Sequence, residues 1–138
     1  MERVMTKLTF PSPIPTGCPP SDAHTLHSTE VFRMIPGPDV KLEDFRSWFE
    51  IEGYERPNVD CRCKNYGLSM WGINCDKETL RKLRRYPKMR QMKHIVTVQL
   101  SPTDGLVDNQ SELSTGHVCF WPSIHFDALS NVKSVTKL

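Results

Sequence analysis

The sequence lacks several features that mark large functional classes. It has no apolar run of about 18 residues that could cross a membrane. It has no glycine-rich phosphate loop and no Gly-x-Ser-x-Gly element, so neither a P-loop nucleotidase nor an α/β-hydrolase is indicated. Its acidic residues cluster between positions 39 and 55, which argues against the separated carboxylate pair of a glycosidase. What remains is typical of one globular domain: 138 residues, 38% hydrophobic, 25% charged, with a net charge of +2.

Cysteine occurs in an odd number, five residues in the chain, so at least one cannot form an internal disulfide. No export signal is visible near the start, because Leu8, Phe10 and Ile14 are separated by prolines and polar residues. We therefore expect reduced thiols and a cytoplasmic location. Cys61 and Cys63 are closely spaced, but the chain has no second closely spaced pair of cysteines to complete a zinc site, so no metal is expected. Cys75 and Cys119 are predicted to be buried thiols. The residues of metal-ligating type are Cys61, Cys63, Cys75, His94, His117, Cys119 and His125.

Proline is concentrated near the start of the chain, at positions 11, 13, 15, 19 and 20. This composition predicts an extended Pro-rich arm over residues 1–28, followed by a globular domain over residues 29–138. The arm carries few apolar residues, so its order would come from docking on the domain or on a protein partner.

The rest of the chain predicts an α+β fold, with a mixed or mainly antiparallel sheet and two to three helices. Apolar and β-branched runs predict strands over 29–35, 66–71, 94–100, 106–107 and 117–121. Helical spacing predicts helices from Asp39 to Gly53, over 77–86 with Asp76 as N-cap, and over 123–132.

Positive charge gathers in one segment. Eight of the eighteen lysines and arginines lie between Lys77 and Lys93, opposed only by Glu78. A helix that presents these cations outward could pair with the phosphates of a nucleic acid. A solvated helix face is the alternative. The residues proposed to contact nucleic acid are Arg81, Arg84, Arg85 and Lys88.

Four segments follow one another in an order that resembles a known protein family. Phe32-Arg33 on the first strand is followed by Gly67-Leu-Ser-Met-Trp71, the basic helix, and a strand that leads into Asp104-Gly-Leu-Val107. This layout, over about residues 30–107, resembles small bacterial ADP-ribosyltransferase-like toxin and effector domains. The chain also looks like uncharacterised small bacterial proteins with a Pro-Pro-x-x-Ala arm, here Pro19–Ala23, which adds a class and no mechanism.

The resemblance implies NAD as the bound substrate, for an ADP-ribosyltransferase or an NAD glycohydrolase. By the match, Arg33 would hold the NAD phosphates, Ser69 would be the pocket hydroxyl, and Trp71 would stack on the nicotinamide ring. The family carries a catalytic Glu or Gln on a late strand. This chain has His117 there and Glu112 in the preceding loop, which makes these two the candidate catalytic residues.

A non-enzymatic class competes with this interpretation. An immunity, antitoxin or accessory protein would hold a protein or nucleic-acid partner through the basic 77–93 face and the N-terminal arm. Arg33 would then be used internally, in an ion pair with Glu50 or Asp60, and an exposed apolar patch would lie under the arm. The enzyme class instead predicts that Arg33, Ser69 and His117 converge on one pocket.

Overall fold

One antiparallel sheet of seven strands runs through the computed structural model of the chain, which describes residues 8–11 and 14–138. The strands are β1 (His24–Thr25), β2 (Thr29–Ile35), β3 (Leu68–Gly72), β4 (His94–Leu100), β5 (Gly105–Val107), β6 (His117–Pro122) and β7 (Val132–Lys137). Their spatial order is β1-β5-β6-β3-β2-β4-β7. The predicted α+β class is therefore found as a sheet-dominated, antiparallel fold.

Two short α-helices, α1 (Trp48–Glu52) and α2 (Lys77–Leu83), accompany the sheet. Four 3₁₀ turns complete the regular structure, at Leu42–Phe45, Arg62–Tyr66, Pro87–Met89 and Gln110–Glu112. Across the described ranges, neither helix is long and apolar enough to cross a membrane.

Strands β2 and β4 have the bounds that the sequence predicts. β2 and β4 pair along their whole length, from Thr29 opposite Leu100 to Ile35 opposite His94. Both are rich in β-branched and apolar residues, which pack well on a pleated, buried surface. The shorter strands β3, β5 and β6 are also confirmed, with ends that differ by one or two residues.

The prediction of one continuous helix from Asp39 to Gly53 is wrong. The segment forms the 3₁₀ turn Leu42–Phe45, breaks, and restarts as α1. Ser47 causes the restart, because its hydroxyl accepts from the Glu50 amide at 3.2 Å while the Glu50 carboxylate accepts from the Ser47 amide at 2.9 Å. Gly53 does end the helix, in the left-handed conformation with φ of 82°. The predicted N-cap Asp76 is confirmed in α2, which ends three residues earlier than expected.

The helix predicted over 123–132 is wrong. This region forms turns, and the chain then continues as β7 along the free edge of β4. Val132 and Val135 pack against the core from this strand, while its other residues are mostly exposed. This segment becomes a strand because it pairs with the free edge of β4. The local sequence pattern does not reveal that this edge is available.

The two faces of the sheet are covered differently. On the closed face, side chains from five strands form one core with Phe45, Phe126 and Ala128. The open face is covered at one end by α2, where Leu80 packs on Phe32 and Trp71. At its other end, Trp121 and Cys119 are covered by the 61–63 loop and the N-terminal arm.

Part of the predicted arm lies outside the described residues, namely positions 1–7, 12 and 13. Its described part is tied to the domain by a disulfide between Cys18 and Cys63. The expectation of reduced thiols is therefore wrong for these two residues, whereas Cys61, Cys75 and Cys119 are free. β1 lies within the predicted arm and pairs with β5. The division of the chain at residues 28 and 29 remains a prediction.

Candidate functional site

Three of the residues predicted from the resemblance gather on the open face of the sheet. In the β3–β6 register, Ser69 lies opposite Cys119 and Trp71 lies opposite His117. Because alternate residues of a strand share a face, all four side chains point to the same side. The Ser69 hydroxyl lies 3.0 Å from His117 Nε2, and the His117 ring lies 5.1 Å from the Trp71 ring, centroid to centroid.

The environment of His117 favours its neutral form. Burial of part of the ring lowers its pKa from the ordinary value, Asp108 opposes this shift, and Lys64 adds to it. Lys64 itself lies 3.2 Å from Asp60 and 3.8 Å from Asp108. A neutral imidazole has one nitrogen that accepts a hydrogen bond, so His117 can orient the Ser69 hydroxyl and take its proton.

Arg33 lies on the other face of the sheet. Its neighbours Val31 and Ile35 belong to the core of the closed face, and its guanidinium lies 5.9 Å from the centroid of the Phe45 ring. It meets Ser69 only through the main chain, because Arg33 Nη1 donates to the Ser69 carbonyl at 2.9 Å. The resemblance places Arg33 and the Ser69 hydroxyl in one pocket, whereas the sheet separates the two side chains.

The guanidinium of Arg33 is bonded to three carbonyl groups. In addition to Ser69, its Nε donates to Asp44 at 2.9 Å and its Nη2 donates to Arg46 at 3.2 Å. β2 and β3 pair only at Val31–Gly72 and Phe32–Trp71, so Arg33 bridges them where they separate. Burial lowers the Arg33 pKa to about 10, which leaves the side chain charged at neutral pH.

Arg33 does not form either of the ion pairs that the sequence suggested. Within the described part of the chain, neither Glu50 nor Asp60 lies at ion-pair distance from it. Glu112, the other candidate catalytic residue, ends a 3₁₀ turn and places its carboxylate against Gly116, the residue before His117. Glu112 is therefore close to His117 along the chain, with no side-chain hydrogen bond between the two in the described residues.

A second candidate site combines aromatic rings with cations. Lys88 Nζ lies 5.0 Å from the centroid of the Trp48 ring, and Arg56 Cζ lies 5.1 Å from it. Both distances are in the range of cation–π contacts. Tyr54 stands perpendicular to Trp48, with ring centroids 6.0 Å apart, and remains 53% exposed. Lys88 also pairs with Glu52 at 2.8 Å, which fixes the basic segment against α1.

The basic segment carries a further aromatic–cation pair next to this cluster. Arg85 Cζ lies 5.1 Å from the Tyr86 ring centroid, and Tyr86 is 49% exposed. Lys88, two residues after Tyr86, contacts the Trp48 ring against which Tyr54 stands, so this lysine connects the two aromatic–cation groups. We call this the basic–aromatic surface: Trp48, Tyr54, Arg56, Lys82, Arg84, Arg85, Tyr86 and Lys88.

A cavity of ≈ 620 Å³ opens within the basic–aromatic surface. It is lined by Trp48, Tyr54, Arg56 and the loop 57–60. Two polar groups of the surface are buried without a hydrogen-bond partner among the described residues, Trp48 Nε1 and Arg84 Nε. The sequence predicted that Trp48 lies in the helix from Asp39 to Gly53, and it did not single out Tyr54 or Arg56. Their only sequence signal is that both lie within three residues after Gly53, in the loop that leaves the helix.

An apolar cleft of ≈ 410 Å³ lies beside the N-terminal arm. Pro11 and Ile14 of the arm line it together with Phe45 and Phe126, and its rim includes Leu42, which is 66% exposed. Neither this cleft nor the cavity at Trp48 is lined by Arg33, Ser69 or His117.

In the ranges that the structure describes, no three histidine, cysteine or acidic side chains are grouped so that they could hold a metal ion. No family model matches this chain, and no curated protein or solved structure matches it either. The candidate function is therefore argued from the two sites themselves.

Proposed function

We propose that this protein binds single-stranded nucleic acid through the basic–aromatic surface. The observation that carries the proposal is the placement of two exposed tyrosine rings, Tyr54 and Tyr86, among the cations of the 77–93 segment. Single strands are held by this combination, in which cations follow the phosphates while unpaired bases stack on aromatic rings.

Charge on this segment is largely free to meet phosphates. Of its eight cations, Arg81 pairs with Glu78 and Lys88 pairs with Glu52. The other six form no ion pair within the described part of the chain. A cluster of unpaired cations attracts a polyanion even when the whole chain carries only a small net charge.

The cavity at Trp48 suits one unstacked base. Tyr54 and the edge of Trp48 offer aromatic contact there, and the Asn58 amide and Asp60 carboxylate offer hydrogen-bonding groups. A paired base in a duplex is stacked and cannot enter such a cavity without being extruded. The proposal therefore includes a preference for single strands over duplexes. We also propose that the protein acts in the cytoplasm.

The test is fluorescence anisotropy with a labelled single strand of about 20 nucleotides and its duplex, titrated at several salt concentrations. We expect the single strand to bind more tightly and its affinity to fall as salt rises. Tyr54→Ala should weaken binding by about 1–3 kcal/mol through the loss of base stacking. Arg85→Glu should weaken it about tenfold and reduce the salt dependence.

Lys133→Glu on β7 is the matched control, because it makes the same charge change on an exposed strand of the sheet edge. Equal losses in Arg85→Glu and Lys133→Glu would show non-specific charge attraction and overturn the proposed surface. Absence of binding at low salt, about 50 mM, would overturn nucleic-acid binding altogether and leave a protein partner, held by the basic face or the N-terminal arm, as the remaining binding function.

A second candidate function is the handling of NAD by an ADP-ribosyltransferase-like toxin or defence effector. The observation in its favour is the 3.0 Å contact between Ser69 and His117 beside Trp71 on the open face. An exposed hydroxyl and a neutral imidazole within one patch are suited to hold a nicotinamide ribose. Trp71 is 7% exposed and packs with Phe32 and Leu80. Its ring therefore supports His117 from below and is not open to stack on a ligand.

This second function is tested by incubating the protein with labelled NAD and a bacterial lysate. Label transfer or nicotinamide release should disappear in Ser69→Ala and His117→Asn, and Glu112→Gln reports on the remaining candidate. Arg33→Ala is a poor probe, since it removes three main-chain contacts and would lower activity through the fold alone. Turnover that persists in Ser69→Ala and His117→Asn would rule these residues out.

A further inference from the structure

Four of the five cysteines lie in one cluster at the end of the open face. Cys63, Cys119 and Trp121 are buried, with exposed fractions of 5%, 5% and 0%. Cys18, Cys61, Ile14 and Ala23 pack around them. The loop is held on the sheet by Trp121, whose indole Nε1 donates to the Cys63 carbonyl at 2.7 Å.

The segment that brings Cys18 to this cluster has few other attachments to the domain. We call residues 14–23 the arm segment. Its backbone amides at Ile14, Cys18 and Ala23 all donate to carbonyls of the arm itself, at distances of 2.9–3.2 Å. Within the described residues, pairing with the sheet begins only at β1. The disulfide and the packing of Ile14, Cys18 and Ala23 therefore hold the arm segment itself. Before it, Phe10 packs on the same cluster and the Thr9 carbonyl accepts from the Ile124 amide at 2.9 Å, so reduction frees the segment between two attached ends.

We propose that Cys18–Cys63 is a thiol–disulfide exchange site for a dithiol reductant, and that its reduction releases the arm segment and uncovers Cys119. The two sulfurs differ in access, because Cys18 is half-buried and Cys63 is buried. An incoming thiolate therefore reaches the Cys18 sulfur, and Cys63 is the leaving group.

The exchange balances in two steps. The first thiolate of the dithiol forms a bond to Cys18 Sγ, the Cys18–Cys63 bond breaks, and Cys63 leaves as a thiolate that takes a proton. The second thiol of the reductant then attacks the reductant sulfur that is bonded to Cys18. This step closes the disulfide of the reductant and releases Cys18 as a thiolate that also takes a proton. The protein gains two electrons and two protons, and the reductant becomes a disulfide.

Release of the arm segment changes the state of Cys119. In the closed structure, burial raises the Cys119 pKa to about 12, so this residue remains an unreactive thiol. Its sulfur packs against Gly67 of the adjoining loop. Once Ile14, Cys18 and Ala23 leave the cluster, solvent reaches the sulfur and its reactivity toward alkylating agents rises.

The test is alkylation of the whole protein with iodoacetamide before and after treatment with dithiothreitol, with peptide mass spectrometry as the readout. We expect Cys119 to be labelled at least about tenfold faster after reduction. Cys75 is the internal reference, because it packs in the separate cluster under α2 and should keep its rate. Cys18→Ser should give the fast Cys119 rate without any reductant, and Cys61→Ser should behave as the wild type.

The point of attack is tested with glutathione, a monothiol that has no second thiol in the same molecule, so its mixed disulfide with the protein is resolved only by another glutathione molecule and can be trapped by acid quenching. We expect its adduct on Cys18 during reaction with the folded, oxidised protein. An adduct on Cys63 instead would overturn the assigned point of attack. A Cys119 rate that is equal in oxidised and reduced protein, with circular dichroism showing that both are folded, would overturn the release of the arm segment. A Cys75 rate that rises with that of Cys119 would indicate general unfolding and equally contradict it.

Discussion

The two faces of the sheet differ in what covers them, and this difference separates a packed apolar core from exposed polar side chains. The closed face is a continuous apolar core, in which Phe120 and Phe126 meet edge to face with centroids 5.1 Å apart. The open face is covered only at its ends, and between them it exposes the Ser69–His117 pair. Polar side chains that are free to react therefore lie on the face that the core leaves uncovered.

Arg33 shows that chemical type alone does not assign a residue to either role. It is the kind of side chain that binds phosphate, yet it points to the closed face and bridges three carbonyl groups. Ser69 lies next to it in space and points the opposite way. The comparison teaches that the parity of a residue along its strand decides which face, and so which role, it serves.

The largest expected effect is on the closed face. Phe120→Ala removes a fully buried ring and leaves a cavity beside Phe126, so the free energy of unfolding should fall by about 3–5 kcal/mol. Chemical denaturation followed by circular dichroism measures the loss. A loss of less than about 1 kcal/mol would mean that this face is not the close-packed core described above.

Arg33→Ala should have the next largest effect. Its three carbonyl partners lose a charged donor, and we expect the free energy of unfolding to fall by about 1–3 kcal/mol. The same denaturation experiment measures it, with Arg46→Ala as the control, because Arg46 is exposed and donates only to Glu43 within its own turn. Equal stability of the Arg33 and Arg46 variants would contradict the bridging role.

Ser69→Ala should hardly affect stability. Its hydroxyl is exposed and bonds only to His117, so we expect a change below about 0.5 kcal/mol in the free energy of unfolding. A large loss of free energy of unfolding in this variant would contradict the distinction between the two faces. A small loss together with altered NAD binding would support it.

The smallest effect is a dependence of stability on pH through His117. Its folded pKa lies below the unfolded value of about 6.5, so the unfolded chain binds the proton more tightly. Stability from this residue is present above about pH 6.5 and is lost as the pH falls below it. Asp108 and Lys64 are the charged groups that act on it, in opposite directions.

Nuclear magnetic resonance titration of the His117 ring measures this shift directly. We expect a midpoint below the ordinary histidine value, and His117→Asn should remove its share of the pH dependence of stability. A midpoint above that value would mean that Asp108 outweighs the burial of the ring, and it would contradict the neutral imidazole on which the Ser69–His117 chemistry depends.

The candidate sites were predictable to different degrees. The sequence suggested Ser69, Trp71 and His117 together, and strand parity brings them onto one face. It also located the basic segment, because like charges that are close in sequence remain close in a short helix and turn. It did not reveal Tyr54 or Arg56 as parts of a site, since both contact Trp48, and Lys88, the cation that joins them there, is forty residues from Trp48 along the chain.

The sequence by itself determined the elements whose signals are local: the apolar β-branched runs of β2 and β4, the Asp76 cap of α2, and the glycine that ends α1. Only the tertiary structure decided that Val132–Lys137 is a strand, that Cys18 meets Cys63, and that Arg33 and the Ser69 hydroxyl lie on opposite faces. The physical reason is that each of these depends on a partner distant in the chain. A free strand edge, a buried thiol or a gap between two strands exists only after the sheet has formed.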